Sequence, residues 1–386
     1  DMGFYYGALI EGIETPGAAL MYGKMMLHKN YPSNPSNFPN IFSHWNNLMG
    51  ESSLQMWSDY PEVTTVSHPY AVTKGTNFID ISVSKGSGPI EDAWVTIYKE
   101  DEILESGYSN GNGFVRLPIN SIEEGEVLIT VTKKNHYPYQ NSFQIYDPGV
   151  SVNVAETTVT IDDDNSGNST GNGNGIANGG ETLELYVSAM NFGSNDAADV
   201  SGVIYSGNNN VTIVNNTVSY GDINAGGTSG GSTPYLITLS DGLQDGANLG
   251  LTISFIESGG STSTGLVNVN VAGNNLYASN VNVIGSASDV FTPGESSYLT
   301  IQLQNVGSTN ATSVTGTITC ASPFIEILDD SGTWTSVLNG GSAYNNNDYF
   351  ELSTLEETIP GAIAHLIVSV ETADGYASNS IIEIQI

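Results

Sequence analysis

Residues 1–60 carry the only helical pattern of hydrophobic positions in the chain. Thr15 and Pro16 form a typical helix start, a hydroxyl N-cap followed by a proline in the first turn. Apolar residues then recur at helical spacing over residues 18–28, and a second, shorter helix is predicted over residues 41–49. Two helices and one short strand cannot enclose a core alone, so we expect this segment to be part of a larger α/β domain.

From residue 62 the pattern changes to short β-strands that are separated by glycine- and asparagine-rich turns. Between residues 62 and 150 the apolar residues alternate with polar ones or form short runs, which predicts a β-sandwich. Trp94 lies in one of these runs and is interpreted as a core residue rather than as a platform for a ligand. The predicted strands cover residues 78–83, 93–98, 103–107, 114–117, 127–131 and 143–146.

Residues 151–386 contain an internal repeat with an offset of 114 positions. Gly180 and Glu181 return as Gly294 and Glu295, and the turn sequence Asn-x-Gly-Ser at 191–194 returns at 305–308. Repeats of this length fit two β-sandwiches of ordinary size. The order of a Gly-Glu turn, an alternating strand, an Asn-x-Gly turn and a second strand resembles the CARDB-like class of bacterial extracellular immunoglobulin-like domains.

The boundary between the helical and β patterns carries a family resemblance. Residues 45–61, WNNLMGESSLQMWSDYP, pass through a Gly-Glu-Ser-Ser-Leu turn into a short apolar strand and stop at a proline. They resemble the end of the catalytic domain in gingipain-like cysteine peptidases, where a Gly-Asp-Pro-Ser-Leu turn precedes the last strand and an immunoglobulin-like domain follows. Glu51 and Ser52 depart from that pattern. The resemblance implies that residues 1–61 end a caspase-like α/β domain whose catalytic residues lie outside this chain.

The segment 88–117 supports the same resemblance. It reads Gly-Pro-Ile-Glu-Asp-Ala-Trp-Val-Thr-Ile, and after a turn Gly-Phe-Val-Arg-Leu. This order is similar to that of carboxypeptidase-regulatory-like and gingipain-associated immunoglobulin-like modules. In those modules the segment forms two strands of one sandwich, and we expect the same here.

No residue of the chain is assigned to catalysis. A catalytic cysteine needs a histidine partner, and none of the five histidines precedes a cysteine at a plausible distance in the same domain. Cys320 is the one cysteine, so an intrachain disulfide is excluded. We expect Cys320 to act as a small buried hydrophobic residue in a strand.

The charge balance excludes several classes of partner. The chain has 41 acidic and 8 basic side chains, and its formal net charge is −33. Such a polyanion releases no counterions from nucleic acid or from an anionic membrane, so neither is an expected partner. Divalent cations are better candidates, and the alternative explanation of the charge is solubility in a salty medium. No run of 18 apolar residues is present, so no membrane span is predicted.

The acidic loop, residues 162–181, is the strongest chemical signal in the chain. It begins Asp-Asp-Asp-Asn, continues through a stretch rich in glycine and asparagine, and ends at a glutamate. Ca²⁺ binds six to eight oxygens from carboxylates, amides and carbonyls, and glycines let such a loop fold tightly. Asparagine at positions where stronger sites have aspartate indicates a modest affinity, and a disordered acidic linker is the alternative. The predicted calcium ligands are Asp162, Asp164, Asn172, Asn174 and Glu181.

These patterns predict a mainly β protein of tandem immunoglobulin-like sandwiches, preceded by a short α/β remnant of a caspase-like domain. The predicted domains are residues 1–61, 62–150, 151–273 and 274–386. The first functional hypothesis is the stalk and binding region of a secreted or cell-surface gingipain-like cysteine endopeptidase. Its partners would be the N-terminal remainder of the peptidase domain and protein or cell-surface glycan ligands.

The second hypothesis is a non-catalytic extracellular adhesin or filament protein. Both hypotheses place the chain outside the cell or on a bacterial surface. The family resemblance further implies the type IX secretion route, whose cargo carries an additional C-terminal β-domain.

Overall fold

The computed structural model describes residues 2–32, 36–286 and 289–386, apart from the side chains of residues 156–158. The chain divides into two compact units, Asp1–Asp147 and Pro148–Ile386. In the described ranges three helices come first and β-strands make up the regular structure of the rest. The predicted mainly β fold is therefore confirmed.

The first unit begins with three helices: α1 (Met2–Leu9), α2 (Pro16–Asn30) and α3 (Phe38–Trp45). Helix α2 starts where predicted, although the Thr15 side chain makes no capping hydrogen bond. Helix α3 lies a few residues before its predicted position. Helix α1 was not predicted, because its sequence MGFYYGAL is apolar throughout and shows no helical period. It packs closely on α2, since a Cβ atom on Gly3 would lie only 2.8 Å from the Cα atom of Gly23.

The short apolar strand predicted after residue 53 does not form. Residues 54–58 follow a turn and have no regular secondary structure, and one backbone hydrogen bond, from Met56 N–H to Glu14 O at 2.8 Å, ties them to the segment that precedes helix α2. A strand needs a neighbouring strand to take its backbone donors and acceptors. Among the described residues no strand pairs with this segment, so the prediction was wrong for this chain.

A β-sandwich, the first sandwich, completes the first unit. One sheet has the order β3-β11-β9-β6-β7, the other has the order β2-β4-β5 with β8 also on β4, and β1 pairs with β10. All six predicted strands are confirmed to within a few residues. The strands are β1 (Glu62–Val63), β2 (Thr65–Ser67), β3 (Ala71–Thr73), β4 (Phe78–Lys85), β5 (Gly88–Pro89), β6 (Trp94–Lys99), β7 (Ile103–Tyr108), β8 (Phe114–Pro118), β9 (Gly125–Thr132), β10 (His136–Tyr137) and β11 (Tyr139–Tyr146).

Trp94 is not a core residue. Val95 and Ile97 are fully buried, whereas Trp94 is 39% exposed on the outer face of strand β6. Successive strand residues point to opposite faces, and in an apolar run such as Trp-Val-Thr-Ile either set can face inward. The core of the sandwich selects Val95 and Ile97, so the prediction for Trp94 was wrong.

The second unit contains two sandwiches that correspond to the sequence repeat: the first repeat (residues 151–273) and the second repeat (residues 274–386). Each buries its own cluster of hydrophobic side chains. The strands of the first repeat are β12 (Val152–Asp162), β13 (Ala177–Asn178), β14 (Thr182–Asn191), β15 (Ala197–Ser206), β16 (Val211–Asn215), β17 (Thr217–Ile223), β18 (Thr228–Gly230), β19 (Tyr235–Leu239), β20 (Leu251–Ile256), β21 (Thr262–Val267) and β22 (Val271–Ala272).

The second repeat has the same topology. Its sheets have the orders β23-β24-β29-β26 and β27-β25-β30-β31, which match β12-β14-β19-β16 and β17-β15-β20-β21 of the first repeat. Its strands are β23 (Leu276–Val283), β24 (Ser296–Asn305), β25 (Ala311–Cys320), β26 (Ile325–Asp329), β27 (Ser331–Val337), β28 (Ser342–Tyr344), β29 (Phe350–Thr354), β30 (Ile363–Glu371) and β31 (Ala377–Gln385).

The offset of 114 positions extends further in the structure than in the sequence pattern. Five successive strands, β14 to β18, have bounds that become those of β24 to β28 when 114 is added to each residue number. The repeat in sequence is therefore a repeat of strand register. The division of the whole chain into four domains stays a prediction.

The two repeats have different aromatic pairs at the same place in their cores. Tyr220 and Tyr235 meet in the first repeat with their hydroxyl oxygens 3.3 Å apart, and both rings are buried. In the second repeat Trp334 takes the position of Tyr220 and lies 6.1 Å from Phe350, measured between ring centroids. Trp334 Nε1–H donates to Ile301 O at 3.0 Å, so its one polar atom is satisfied inside the core.

A polar joint links the two repeats. Asp245 Oδ1 accepts hydrogen bonds from the backbone N–H groups of Gly273 and Ser308, both at 3.1 Å, and from the Ser308 hydroxyl. Beside it, Asn274 Nδ2–H donates to Asp374 Oδ2 at 3.3 Å. The hydrogen bond from the Ser308 hydroxyl is the main reason why the pKa of Asp245 lies below its usual value.

Candidate functional site

Cys320 has no catalytic partner among the residues that the structure describes around it. It is partly buried at the end of β25, where it packs against the core of the second repeat and accepts a hydrogen bond from Ser322 N–H at 3.4 Å. On the neighbouring strand it lies opposite the buried Leu366, whereas His365 points to the other face and contacts Glu383. This arrangement cannot transfer a proton from the thiol to that imidazole.

The acidic loop connects β12 to β14 in the first repeat and is ordered by hydrogen bonds of its own. Part of it, β13, pairs in parallel with β22, and the Asn178 side chain donates to Ala272 O at 3.0 Å. The loop is therefore attached to the sandwich through β13 as well as through the strands that precede and follow it. The alternative of a disordered linker does not describe it.

Asp163 organises the loop, although the sequence did not single it out from its two acidic neighbours. It is almost completely buried. Its Oδ1 accepts a hydrogen bond from Gly175 N–H at 2.9 Å, and its Oδ2 accepts from Gly173 N–H at 3.0 Å and Asn174 N–H at 3.3 Å. Three backbone donors thus replace the water that a buried carboxylate would lose. The Asp-Asp-Asp run marks this segment as acidic, but it does not indicate which of the three aspartates is buried.

Glu181 is the second buried carboxylate of the loop. Its Oε1 accepts from Asn172 N–H at 3.2 Å and its Oε2 accepts from Asn178 N–H at 2.9 Å. Burial raises the pKa of Glu181 above its usual value, and the nearby negative charge of Asp163 adds to this rise against the effect of the two hydrogen bonds. Glu181 is a predicted calcium ligand, and in this structure its carboxylate holds the loop backbone.

Of the other four predicted ligands, Asp164, Asn172 and Asn174 are exposed and Asp162 is half-buried. Asp162 Oδ1 accepts from Asp164 N–H at 3.2 Å, and Asp164 Oδ1 accepts from Ser166 N–H at 2.8 Å. Bonding to Ser166 lowers the pKa of Asp164. Asn172 Oδ1 accepts from Asn174 N–H at 3.0 Å, and Asn174 Oδ1 accepts in the same way from the N–H two residues further on.

The predicted calcium site consists of amide as well as carboxylate side chains. Within the described ranges no group of three or more His, Cys, Asp or Glu side chains is placed to hold a metal ion. Ca²⁺ also binds amide and backbone oxygens, which such groups of four residue types do not include. The five predicted residues share one loop but are not gathered into a single set of carboxylates, and the calcium site stays a prediction.

A second candidate site, the aromatic face, is the outer face of the five-stranded sheet in the first sandwich. Trp94 on β6 lies opposite Tyr108 on β7, with ring centroids 4.5 Å apart. Glu126 is the only charged residue among the outward positions of this sheet. Those positions, which follow from the strand registers, are Ala71, Thr73, Trp94, Thr96, Tyr98, Leu104, Ser106, Tyr108, Glu126, Leu128, Thr130, Thr132, Gln140, Ser142, Gln144 and Tyr146.

The helical segment, residues 2–57, presents a third surface. Its helices bury only Gly7, Ala19 and Pro39. An open groove of about 660 Å³ runs between the three helices and is lined by apolar side chains such as Phe4, Leu27 and Phe42. The exposed large apolar residues are Met2, Tyr5, Tyr6, Leu9, Ile10, Met21, Met25, Tyr31, Phe38, Phe42, Trp45, Leu48, Met49, Leu54 and Trp57.

Comparison with known proteins finds structural similarity without close relatives. No protein-family model matches the chain, and no curated protein matches it at a significant level. The Arg-specific cysteine proteinase gingipain R aligns with a TM-score of 0.28 and 14% identity, over 35% of this chain and 29% of that chain. The complex of Porphyromonas gingivalis RgpB pro- and mature domains aligns with a TM-score of 0.27 and 14% identity, over 34% of this chain and 30% of that chain.

Bacterial adhesins align over more of the chain but less closely. A structure from a 1.5-MDa bacterial ice-binding adhesin has a TM-score of 0.19 and 13% identity, over 85% of this chain and 98% of that chain. The chain spans less than a third of the length of the two proteinase structures. TM-scores this low do not establish a shared fold. Separately, none of the helices in the described residues has the length and apolar character needed to cross a membrane.

Proposed function

We propose that this chain is the non-catalytic part of an extracellular cysteine peptidase of the gingipain type. The helical segment packs against the remainder of an α/β catalytic domain, and the sandwiches follow it along the chain. The observation that carries the proposal is the exposed apolar surface of helices α1, α2 and α3.

That surface is too apolar for helices that face water. A surface helix of a globular protein buries one apolar stripe against a core, whereas a helix that is apolar on all sides, as α1 is, belongs inside a larger domain. Met2, Leu9, Met25 and Trp45 are each more than half exposed. Contiguous exposed patches of this kind mark interaction surfaces, because each buried square ångström of apolar surface contributes about 25 cal/mol.

Specific contacts attach the helical segment to the first sandwich. Lys134 Nζ forms an ion pair with Glu14 Oε1 at 2.9 Å, and Asn135 Oδ1 accepts a hydrogen bond from Ser58 N–H at 2.9 Å. The Trp57 and Tyr137 rings meet edge to face, with centroids 6.3 Å apart. A catalytic domain that includes the helices would therefore lie next to this sandwich, which is the order that the sequence resemblance implies.

The test uses the native protein purified from its source and treated with a thiol-directed epoxide probe. A cysteine peptidase needs a thiolate with a histidine partner, so the proposal requires a companion fragment that supplies both. We expect such a fragment to be labelled and to co-purify with this chain. Purified native chain without any probe-reactive companion would refute the proposal.

A charge introduced into the apolar surface of the helices tests whether that surface holds the companion fragment, and the same charge elsewhere is the control. Leu9→Arg is expected to release the companion fragment, because an unpaired charge would be buried in the contact. Val214→Arg places the same charge on the exposed β16 edge and is expected to leave the association unchanged. Equal retention of the fragment by both variants would place its contact elsewhere and contradict the proposed role of the helices.

A non-catalytic adhesin or filament protein is the second candidate. The observation that favours it is the polar joint around Asp245, which joins two sandwiches of the same topology, as a filament under mechanical tension would require. The probe experiment separates the candidates, because a stable native chain with no companion fragment would favour this second function.

A further inference from the structure

The two outer faces of the first sandwich differ in character. On the face formed by β4 and β8, Arg116 Nε pairs with Asp80 Oδ1 at 2.6 Å and the guanidinium lies over the Phe78 ring. On the opposite face, the aromatic face, Glu126 is the only charged residue among the outward positions. The aromatic face is therefore almost uncharged, although the chain as a whole has a formal net charge of −33.

Aromatic and aliphatic side chains form two parallel rows on this face. Trp94 and Tyr108 make the first row, and Tyr98 pairs with Leu104 and with Leu128 in the second. All five side chains are exposed, Tyr108 by 63% and Leu104 by 71%. At about 3.3 Å per residue along β6, the two rows lie roughly 13 Å apart. Large apolar side chains that stay in water on a folded domain mark a binding surface.

A row of polar, uncharged side chains runs between the two apolar rows. The strand registers place Ser106, Thr96, Thr130 and Gln140 side by side on four neighbouring strands. At strand spacings of about 4.8 Å this row is roughly 14 Å long. Each hydroxyl or amide can both donate and accept a hydrogen bond. Among the described residues these four side chains make no hydrogen bond within the protein, so their capacity is available to a ligand.

We propose that the aromatic face binds a neutral oligosaccharide. A sugar ring has an apolar C–H face that stacks on Trp or Tyr, and its hydroxyl groups match a row of side chains that donate and accept. The single charged residue on the face, Glu126, leaves the face almost neutral and suited to a neutral ligand, while the strong negative charge of the chain repels an anionic one. The arrangement favours a glycan over a protein partner, since protein interfaces have apolar centres and this face has its polar row in the middle.

The proposal is independent of the peptidase function, because every residue involved lies in the first sandwich. A purely structural role of the Trp94–Tyr108 pair is the competing explanation, since cross-strand aromatic pairs stabilise a sheet. Such a pair would stabilise the β6–β7 edge without any ligand. The two explanations differ in whether replacing Trp94 changes binding while the sheet remains folded.

Native-gel electrophoresis of the whole chain in gels that contain a polysaccharide tests the proposal. The probes are laminarin, galactomannan and xyloglucan as neutral polymers and polygalacturonate as an anionic one. We expect at least one neutral polymer, and not polygalacturonate, to retard the wild type. Trp94→Ala should weaken that binding at least about tenfold, as for a central aromatic contact, and Trp94→Phe should retain part of it.

Tyr205→Ala is the matched control, because Tyr205 is an exposed strand tyrosine in the first repeat. It should bind like the wild type. Amide hydrogen exchange in β6 shows whether each Trp94 variant keeps the sheet folded. If Trp94→Ala does not, Trp94→Phe takes its place in the comparison. Failure of all three neutral polymers to retard the chain, or equal retardation of wild type and a folded Trp94 variant, would overturn the proposal. Self-association that Trp94→Ala abolishes would assign the face to a second copy of the chain and would overturn it as well.

Discussion

Asn191 and Asn305, which lie 114 residues apart, make the same four hydrogen bonds in the two repeats. Each is fully buried at the end of a central strand. Each Oδ1 accepts from the backbone N–H two residues further on and from an N–H at the start of its sandwich, and each Nδ2 donates to two backbone carbonyls. The partners are Gly193, Ser151, Asn195 and Ile223 for Asn191, and Gly307, Asn275, Thr309 and Val337 for Asn305.

Replacement of either asparagine should destabilise its own sandwich. In Asn305→Ala four backbone groups, two of them buried and two partly buried, lose their partner, and an unsatisfied buried group costs about 1–3 kcal/mol. We expect a loss of about 3 kcal/mol, since some of these groups will reach water. Urea unfolding measures the loss, and amide hydrogen exchange in β24 localises it. Asn209→Ala, at an exposed position, should change stability by less than about 0.5 kcal/mol; similar losses for both variants would contradict the assignment.

The glycine of the Asn-x-Gly turn should be as sensitive as the asparagine. A Cβ atom on Gly307 would lie 2.4 Å from Gly273 O, and one on Gly193 would lie 2.2 Å from Gly149 O. We expect Gly307→Ala to lower the free energy of unfolding by about 2–3 kcal/mol, because two backbone segments must move apart. Gly207 has open space around its Cβ position and a φ outside the left-handed region. Gly207→Ala should therefore be neutral or stabilising by about 0.5 kcal/mol, and equal melting temperatures for the two variants would refute the steric explanation.

Two tyrosines should resist ionisation until the first repeat unfolds. Burial raises the pKa of Tyr220 to about 12, and burial also raises that of Tyr235. A raised folded-state pKa contributes stability that is fully present below the unfolded value, near 10, and is lost as pH rises through the folded value. Between these two pH values stability should fall by about 1.4 kcal/mol per pH unit for Tyr220 alone. Ultraviolet titration of the 20 tyrosines should show a late phase that coincides with unfolding, and the phase should shrink in Tyr220→Phe.

The joint between the repeats should loosen in acid. The hydrogen bond from the Ser308 hydroxyl is the main cause of the lowered pKa of Asp245. A lowered folded-state pKa gives stability that is present above the unfolded value, near 4, and is lost as pH falls through the folded value. The protection of the Gly273 and Ser308 amides, taken as the exchange rate relative to the intrinsic rate at each pH, should therefore fall below about pH 4.

At neutral pH, Asp245→Ala should produce the same loss of protection at these two amides, because both lose their acceptor. Asp330→Asn removes an exposed carboxylate from the second repeat and serves as the control. Unchanged exchange in Asp245→Ala would show that the carboxylate does not hold the joint.

The predicted calcium site has a direct thermodynamic test. Binding to the folded state alone raises stability by RT ln(1 + [L]/Kd), which is about 2.7 kcal/mol at one hundred times Kd. We expect millimolar calcium to raise the melting temperature and the double variant Asp162→Asn/Asp164→Asn to abolish the increase. Asp329→Asn, in the second repeat, should respond like the wild type. A melting temperature that calcium leaves unchanged would show that the hydrogen bonds of Asp163 and Glu181 suffice to hold the loop.

Within the first sandwich the sequence located strands but not their faces. The alternation of residues 93–98 placed a strand correctly, yet it did not reveal that Trp94 faces outward. Spacing alone allows either alternate pair, Val95 with Ile97 or Trp94 with Thr96, to face the core. The facing sheet decides between them, and it is assembled from residues far away in the chain.

The acidic loop shows the same limit for a candidate site. Its composition predicted a calcium site, which stays a prediction. Composition could not reveal that Asp163 rather than Asp162 or Asp164 turns inward, because the choice depends on where the backbone donors of Gly173 and Gly175 lie. Asp163 has no feature of its own in the sequence.

The sequence by itself determined the mainly β fold, the positions of six strands of the first sandwich and the repeat of 114 residues, since these depend on local periodicity and on the spacing of turn residues. The tertiary structure alone decided which face of each strand is buried, why Asn191 and Asn305 recur, and which surfaces stay apolar in water. Those properties depend on contacts between residues that are distant in sequence, such as Asn305 with Asn275 and Val337. Periodicity describes one segment at a time, and burial is a property of two segments that meet.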